Sequence, residues 1–122
     1  MEITFPVLVL EKDSADILKF ESVAEMQHYL ERIDVENNEY AAWGADGHSL
    51  SLLVQEPIWL KVVRAPEVGA PDLSDSLKRF ARARQVSLTA SEQKLAPMAL
   101  FEAIATKAGS GSKIARGFRS RR

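Results

Sequence analysis

Two histidines, one knot of carboxylates and a run of arginines at the C-terminal end are the side chains whose types and spacing could carry chemistry. His28 and His48 stand apart, with no HExxH spacing and no cysteine in the 122 residues to complete a ligand set. Tetrahedral zinc wants such donors at short, fixed intervals. The pair therefore reads as two surface imidazoles, and neither a metal nor another cofactor is expected. Glu31, Asp34, Glu36 and Glu39 form the acidic knot. A calcium loop needs alternating acidic ligands, a glycine and a distal glutamate, and Asp34-Val35-Glu36-Asn37-Asn38-Glu39 has neither that register nor the glycine. Paired carboxylates act as acid and base where a pocket sets their pKa values apart, and nothing in the local sequence builds one. A solvated face is the plain reading of the knot; a docking surface for a basic partner is the functional one.

The glycines and arginines of the C-terminal end pose a different question. Gly109-Ser110-Gly111-Ser112-Lys113 misses the spacing of a phosphate loop and follows a helical pattern where that motif needs a strand. A nucleophile elbow and a dinucleotide fingerprint are also missing, so serine hydrolases and Rossmann enzymes are disfavoured and no catalytic residue is assigned. Lys113, Arg116, Arg119, Arg121 and Arg122, interleaved with Gly117 and Phe118, suit phosphate contacts and loose stacking on nucleic acid. Short basic tails also bind acidic proteins, so the signal is of low specificity.

These groups need a scaffold, and the hydrophobic pattern supplies one. Residues 3–10 are apolar on both alternating sets, the mark of a strand covered on two faces, while Pro6 inside them argues for an edge position or a bulge. Ile17–Phe20 predicts a second strand. Ser22-Val23-Ala24-Glu25 is a capping box. Val23, Met26, Leu30 and Ile33 then draw one stripe down a helix that should end near residues 34–38, where Asn37 and Asn38 tolerate a left-handed cap. The acidic knot would sit at the C-terminal end of that helix, which the dipole disfavours. Residues 39–44 and 49–54 flank Asp46-Gly47 and predict a hairpin with a two-residue turn; residues 58–63 predict a further strand. Trp43 and Trp59 fall on strands and are expected in the core.

Composition changes at Ala65-Pro66-Glu67-Val68-Gly69-Ala70-Pro71, which reads as a linker. Asp72 can cap a helix over residues 73–85 whose narrow apolar face is Leu73, Leu77, Phe80 and Ala81, with Lys78, Arg79 and Arg82 opposite. Thr89-Ala90-Ser91-Glu92 is a second capping box, opening a helix to about residue 108 that Pro97 either kinks or restarts. Leu95, Met98, Phe101, Ile104 and Ala105 would supply its buried face.

The expected fold is α+β: an antiparallel sheet of four or five strands in β-β-α-β-β-β order, with one amphipathic helix across a face. The expected units are an acidic α+β domain (1–64), a Pro/Gly linker (65–71), a helical segment packing on the sheet or on a second chain (72–108), and a flexible basic tail (109–122). Behind a net charge of −1, residues 1–63 carry 12 acidic and 4 basic side chains, and residues 64–122 carry 5 acidic and 12 basic. That polarity bears on association and steering rather than on fold. The apolar run near the start lacks a basic lead and is far shorter than the roughly 20 residues of a membrane helix, so a soluble, cytoplasmic chain without membrane contact is expected.

Three function classes fit these observations. The first is a non-enzymatic protein-interaction module, in the manner of an inhibitor or immunity protein that covers a basic partner with Glu31, Asp34, Glu36 and Glu39, or that self-associates. The second is a nucleic-acid accessory protein contacting through Lys78, Arg79, Arg82 and the five basic residues of the tail. The third is a small ligand-binding or hydrolytic domain with a pocket between sheet and helix.

Overall fold

Apolar alternation produces five strands: β1 (Val7–Glu11), β2 (Ile17–Phe20), β3 (Tyr40–Trp43), β4 (Ser49–Val54) and β5 (Leu60–Arg64). The computed structural model describes residues 3–56, 59–65 and 73–108, in which these strands form one antiparallel sheet of order β2-β1-β3-β4-β5. Four α-helices complete a mixed α+β fold: α1 (Val23–Tyr29), α2 (Arg32–Glu36), α3 (Leu73–Ala83) and α4 (Pro97–Lys107). Most of the expected linker, the Asp72 cap and the whole 109–122 tail, with Lys113, Arg116, Arg119, Arg121 and Arg122, lie outside the described residues.

β1 is bonded to β2 on one side and to β3 on the other, as its two apolar faces require. The edge position that Pro6 suggested is corrected: the strand starts at Val7, so the proline's missing donor falls outside the ladder. The last strand begins two residues later than the alternation from Ile58 indicated and runs to Arg64. At the hairpin, Gly47 N–H donates to Gly44 O at 2.9 Å and Gly44 N–H to His48 O at 3.0 Å, with Gly47 at φ +84°. This is a three-residue loop with glycine in the left-handed position, one residue longer than expected.

The serine half of the first capping box forms as read, Glu25 N–H donating to Ser22 Oγ at 3.1 Å, while Glu25 Oε1 accepts at 2.8 Å from the N–H of Glu21, one residue before the cap. The single helix expected beyond it does not form. Leu30 is extended (ψ 152°) and separates α1 from α2, which begins after Glu31. The stripe therefore ends at Leu30; Ile33 turns outward at 61% exposure, and Val35 is buried in its place at 8%. Asn38 does take the left-handed cap (φ 59°), with Glu39 N–H bonded to Asp34 O and Asn38 N–H to Val35 O, the two bonds of a Schellman motif.

Both faces of the sheet are covered. Val7, Val9, Leu18, Phe20, Ala42, Leu50 and Leu60 face Met26 of α1, Leu30 between the helices and Val35 of α2, with Trp59 partly buried against them. On the other face Leu8, Leu10, Ile17 and Trp43 meet Leu73, Leu77, Phe80 and Ala81 of α3 and Leu100, Phe101, Ile104 and Ala105 of α4. The second capping box is intact: Glu92 N–H donates to Thr89 Oγ1 at 3.1 Å, and Thr89 N–H to Glu92 Oε1 at 2.9 Å. It opens only a 3₁₀ turn, Glu92–Lys94. Pro97 forces Ala96 into an extended conformation (ψ 153°) and stands at the start of α4. The restart shifts the helical phase, so Leu95 is 40% exposed and Leu100 joins the core instead.

The end of α3 yields a stability prediction. Val86 N–H bonds Ala81 O at 2.8 Å and Gln85 N–H bonds Arg82 O at 3.0 Å, a Schellman motif with Gln85 at φ 59°. A side chain there costs about 1–2 kcal/mol of left-handed strain. Gln85 is exposed, so Gln85→Gly will raise the unfolding free energy by about 1 kcal/mol in urea titration.

Candidate functional site

The break at Leu30 redraws the acidic surface. Glu31 precedes the first turn of α2 and Asp34 lies within it, so both carboxylates stand at the favoured end of a helix dipole, not at the disfavoured end of a longer helix. Glu36 and Glu39 keep the C-terminal placement, in the last turn of α2 and just past its cap. Tyr40 Oη donates to Asp34 Oδ2 at 3.4 Å, which ties Asp34 to the start of β3. Glu39 is half-buried, its backbone carbonyl accepting from Lys12 N–H at 3.0 Å. The structure thus brings the four residues onto one short helix and its exit, with Glu36 projecting into solvent and Asp34 held by the fold.

Two features of this surface were missed in the sequence. Arg32 bridges Glu36 Oε2 at 3.7 Å and Glu56 Oε2 at 2.9 Å, drawing a fifth carboxylate from the far end of β4 to the rim. The i,i+4 spacing of Arg32 and Glu36 signals the first contact; the second depends on tertiary closure. The other is Ile33, the most exposed large apolar side chain among the described residues, set between Arg32 and Asp34 and one turn from Glu36 and Asn37.

The basic residues assigned to α3 lie on its outer side. Arg79 and Arg82 are exposed and Lys78 is half-buried. Lys78 and Arg82 border an open notch of about 150 Å³ with Gln93, over a floor of Ala81, Val86 and Leu88. Its volume is below the roughly 300 Å³ at which pockets for small molecules begin. Neither histidine lines it. His28 is exposed in the last turn of α1, and His48 Nε2 lies 3.3 Å from the carbonyl of Ala65. Among the described residues no group of three or more His, Cys, Asp or Glu could hold a metal ion, and no helix is long and apolar enough to cross a membrane.

Some of the charge polarity is satisfied within the chain: Arg84 Nη2 meets Asp16 Oδ1 at 3.1 Å and Arg64 Nη1 meets Asp46 Oδ2 at 3.1 Å. The Asp46 carboxyl is held below the ordinary aspartate value, first by the His48 amide and then by the Arg64 guanidinium. A carboxyl depressed in the folded chain stabilises it above the unfolded value, and that contribution disappears as pH falls through the folded value. Arg64→Met will therefore move the Asp46 titration upward toward the ordinary range, read by NMR between about pH 2 and 6. The His48 amide will keep it from recovering fully.

Comparison with protein-family models, with curated proteins and with solved structures found no match.

Proposed function

We propose that this chain is a non-catalytic protein-interaction module that meets a basic partner through α2. The observation that carries the reading is Ile33, 61% exposed on a helix edged by Glu31, Asp34, Glu36 and Glu39. An apolar anchor inside a charged rim is the usual composition of a contact surface: the anchor gives binding energy on desolvation and the rim steers and discriminates. Asp34, fixed by Tyr40, keeps the helix in place, while Glu36 and Glu39 supply the field. The partner chemistry that fits is a basic surface with an apolar recess, as an inhibitor or immunity-type role would require.

Affinity capture from a lysate of the source organism at low salt, with and without nuclease, tests this. The expected result is a protein retained by the wild-type chain after nuclease and lost when Glu36 and Glu39 are both changed to Lys. Retention by the doubly substituted chain would sink the assignment of the face. A second reading, nucleic-acid contact through Lys78, Arg79 and Arg82, is favoured by the convergence of Lys78 and Arg82 on one open notch. It predicts captured material that disappears with nuclease and a steep loss of binding with salt.

A further inference from the structure

β5 ends the sheet, and the phase of its hydrogen bonds fixes which of its backbone groups face outward. Gln55 N–H donates to Trp59 O at 2.9 Å, and Ala65 N–H to Ser49 O at 3.0 Å. Residues 55 and 59, and 49 and 65, are therefore bonded pairs. The register runs from Val54↔Leu60 to Leu50↔Arg64, and bonded and non-bonded pairs alternate in an antiparallel ladder. Leu60, Val62 and Arg64 consequently turn their N–H and C=O groups away from β4. The Leu60 donor is already met by Gln27 Oε1 at 3.3 Å. Among the described residues no strand meets the outward groups of Val62 and Arg64. At the other end of the sheet, Lys19 Nζ on β2 reaches Glu102 Oε2 of α4 at 2.6 Å over the face that α4 covers.

We propose that β5 is a self-association edge, pairing antiparallel with β5 of a second copy about a two-fold axis through Val62. Phase favours a second copy as the occupant. Centred there, Val62 faces Val62 of the copy and Leu60 faces its Arg64, so outward-turned groups meet only outward-turned groups. Charge does not oppose it. Lys61 falls opposite Val63 of the copy and Arg64 opposite its Leu60, so no like charges are directly opposed. The Arg64 guanidinium is held back at Asp46, clear of the approaching strand. A bonded antiparallel pair exchanges both of its N–H···O bonds, so on pairing the copy's Arg64 C=O takes the place of Gln27 Oε1 on the Leu60 N–H. A lysine on an edge strand often blocks pairing. Lys61 does not block this one: Leu60 and Val62 pack into the α1 side, so Lys61 leaves on the opposite face, out of the plane in which the backbones meet.

Two short edges bury little surface, so the dimer is weak and forms at roughly tens to hundreds of micromolar chain. Sedimentation velocity of the full chain over about 10–500 µM, with amide exchange by NMR at both limits, tests it. A species of twice the mass is expected to grow with concentration, and Val62 and Arg64 amides to exchange at least tenfold more slowly in step with it. The Leu60 amide, bonded to Gln27 in the single chain and to the copy's Arg64 C=O in the pair, is the internal control and changes little. Val62→Pro removes a donor that faces solvent in the single chain, a position where strands tolerate proline, and is expected to remain monomeric throughout. Because proline also touches the packing of Val62, the exchange of the wild-type amides decides independently of that variant. A monomer at every concentration overturns the proposal, as does a dimer that leaves Val62 and Arg64 exchange unchanged or survives Val62→Pro.

Discussion

Phe80→Ala will destabilise the folded chain by about 3–5 kcal/mol, the largest stability effect of any substitution considered for it. Phe80 is fully buried and stacks on Phe101, with centroids 5.9 Å apart and ring planes 10° from parallel. Arg84 also lies over its ring, 5.9 Å from the centroid, and in turn holds Asp16 near the start of β2. Truncation removes the ring's apolar burial, leaves a cavity between α3 and α4, and frees the guanidinium from its platform. Against a total stability of about 5–15 kcal/mol for a domain of this size, that is a fifth or more of the whole. The check is urea unfolding monitored at Trp43 and by circular dichroism, with the slope m compared between variants. A single transition moved to lower urea at constant m means that α3, α4 and the sheet unfold together. If the amides of α3 and α4 lose protection from hydrogen exchange at lower urea than those of β1 and β3, the helical layer is a separate, weaker unit on a stable sheet. A loss below about 1 kcal/mol would mean that this layer adds little to the stability of the sheet. Double substitution of Phe80 and Phe101 should show about 0.5–1.5 kcal/mol of coupling, the contribution of stacking beyond area.

The layer that Phe80 closes is also the part most legible in the sequence. Leu73, Leu77, Phe80 and Ala81 recur at helical spacing, and all four are buried where that spacing puts them. The two-faced β1 pattern and the Ser22 cap are legible for the same reason, as local rules obeyed without tertiary interference; the hairpin at Asp46-Gly47 is legible too, but its loop is one residue longer than the dipeptide signals. The break at Leu30 is not local. Tyr29-Leu30-Glu31-Arg32 contains neither glycine nor proline and reads as continuous helix. In one straight helix, however, Leu30 and Val35 would lie about 140° apart, too far round to reach the same sheet. Breaking the helix lets both be buried, at 4% and 8% exposure, and turns Ile33 out. The helical stripe favours Ile33, and only the position of α2 over β4 puts Val35 in the core instead. The same limit applies to the candidate site. The four carboxylates were visible as a cluster, but the Tyr40 hold on Asp34 and the Arg32 bridge to Glu56 arise from closure of the chain. The second box at Thr89 shows the limit in reverse: its bonds form as the residue types dictate, yet Pro97 restricts Ala96 and the helix starts afresh.

Because Ile33 is where tertiary structure overrode the helical stripe, it is also where a substitution separates binding from folding most cleanly. Ile33→Asp will leave unfolding free energy within about 0.5 kcal/mol of wild type, since the side chain is mostly in water already. It will weaken the captured partner by about 30-fold or more, the equivalent of about 2 kcal/mol for a central apolar anchor replaced by a charge. The change should fall on the dissociation rate, because short-range desolvation is lost after the partners have met. Glu36→Lys with Glu39→Lys should act earlier. Reversing the rim slows association and flattens its dependence on salt, the signature of long-range steering. Surface plasmon resonance at two ionic strengths reads both effects, and the two rate constants assign them to separate steps. Equal, salt-independent losses from both variants would mean that α2 is only being distorted. Unchanged binding by Ile33→Asp would remove α2 from the interface and leave the open notch beside Lys78 and Arg82 as the surface to test next. A solvated acidic helix with no partner predicts neither rate to move, whereas an anchor in a steering rim predicts one variant for each.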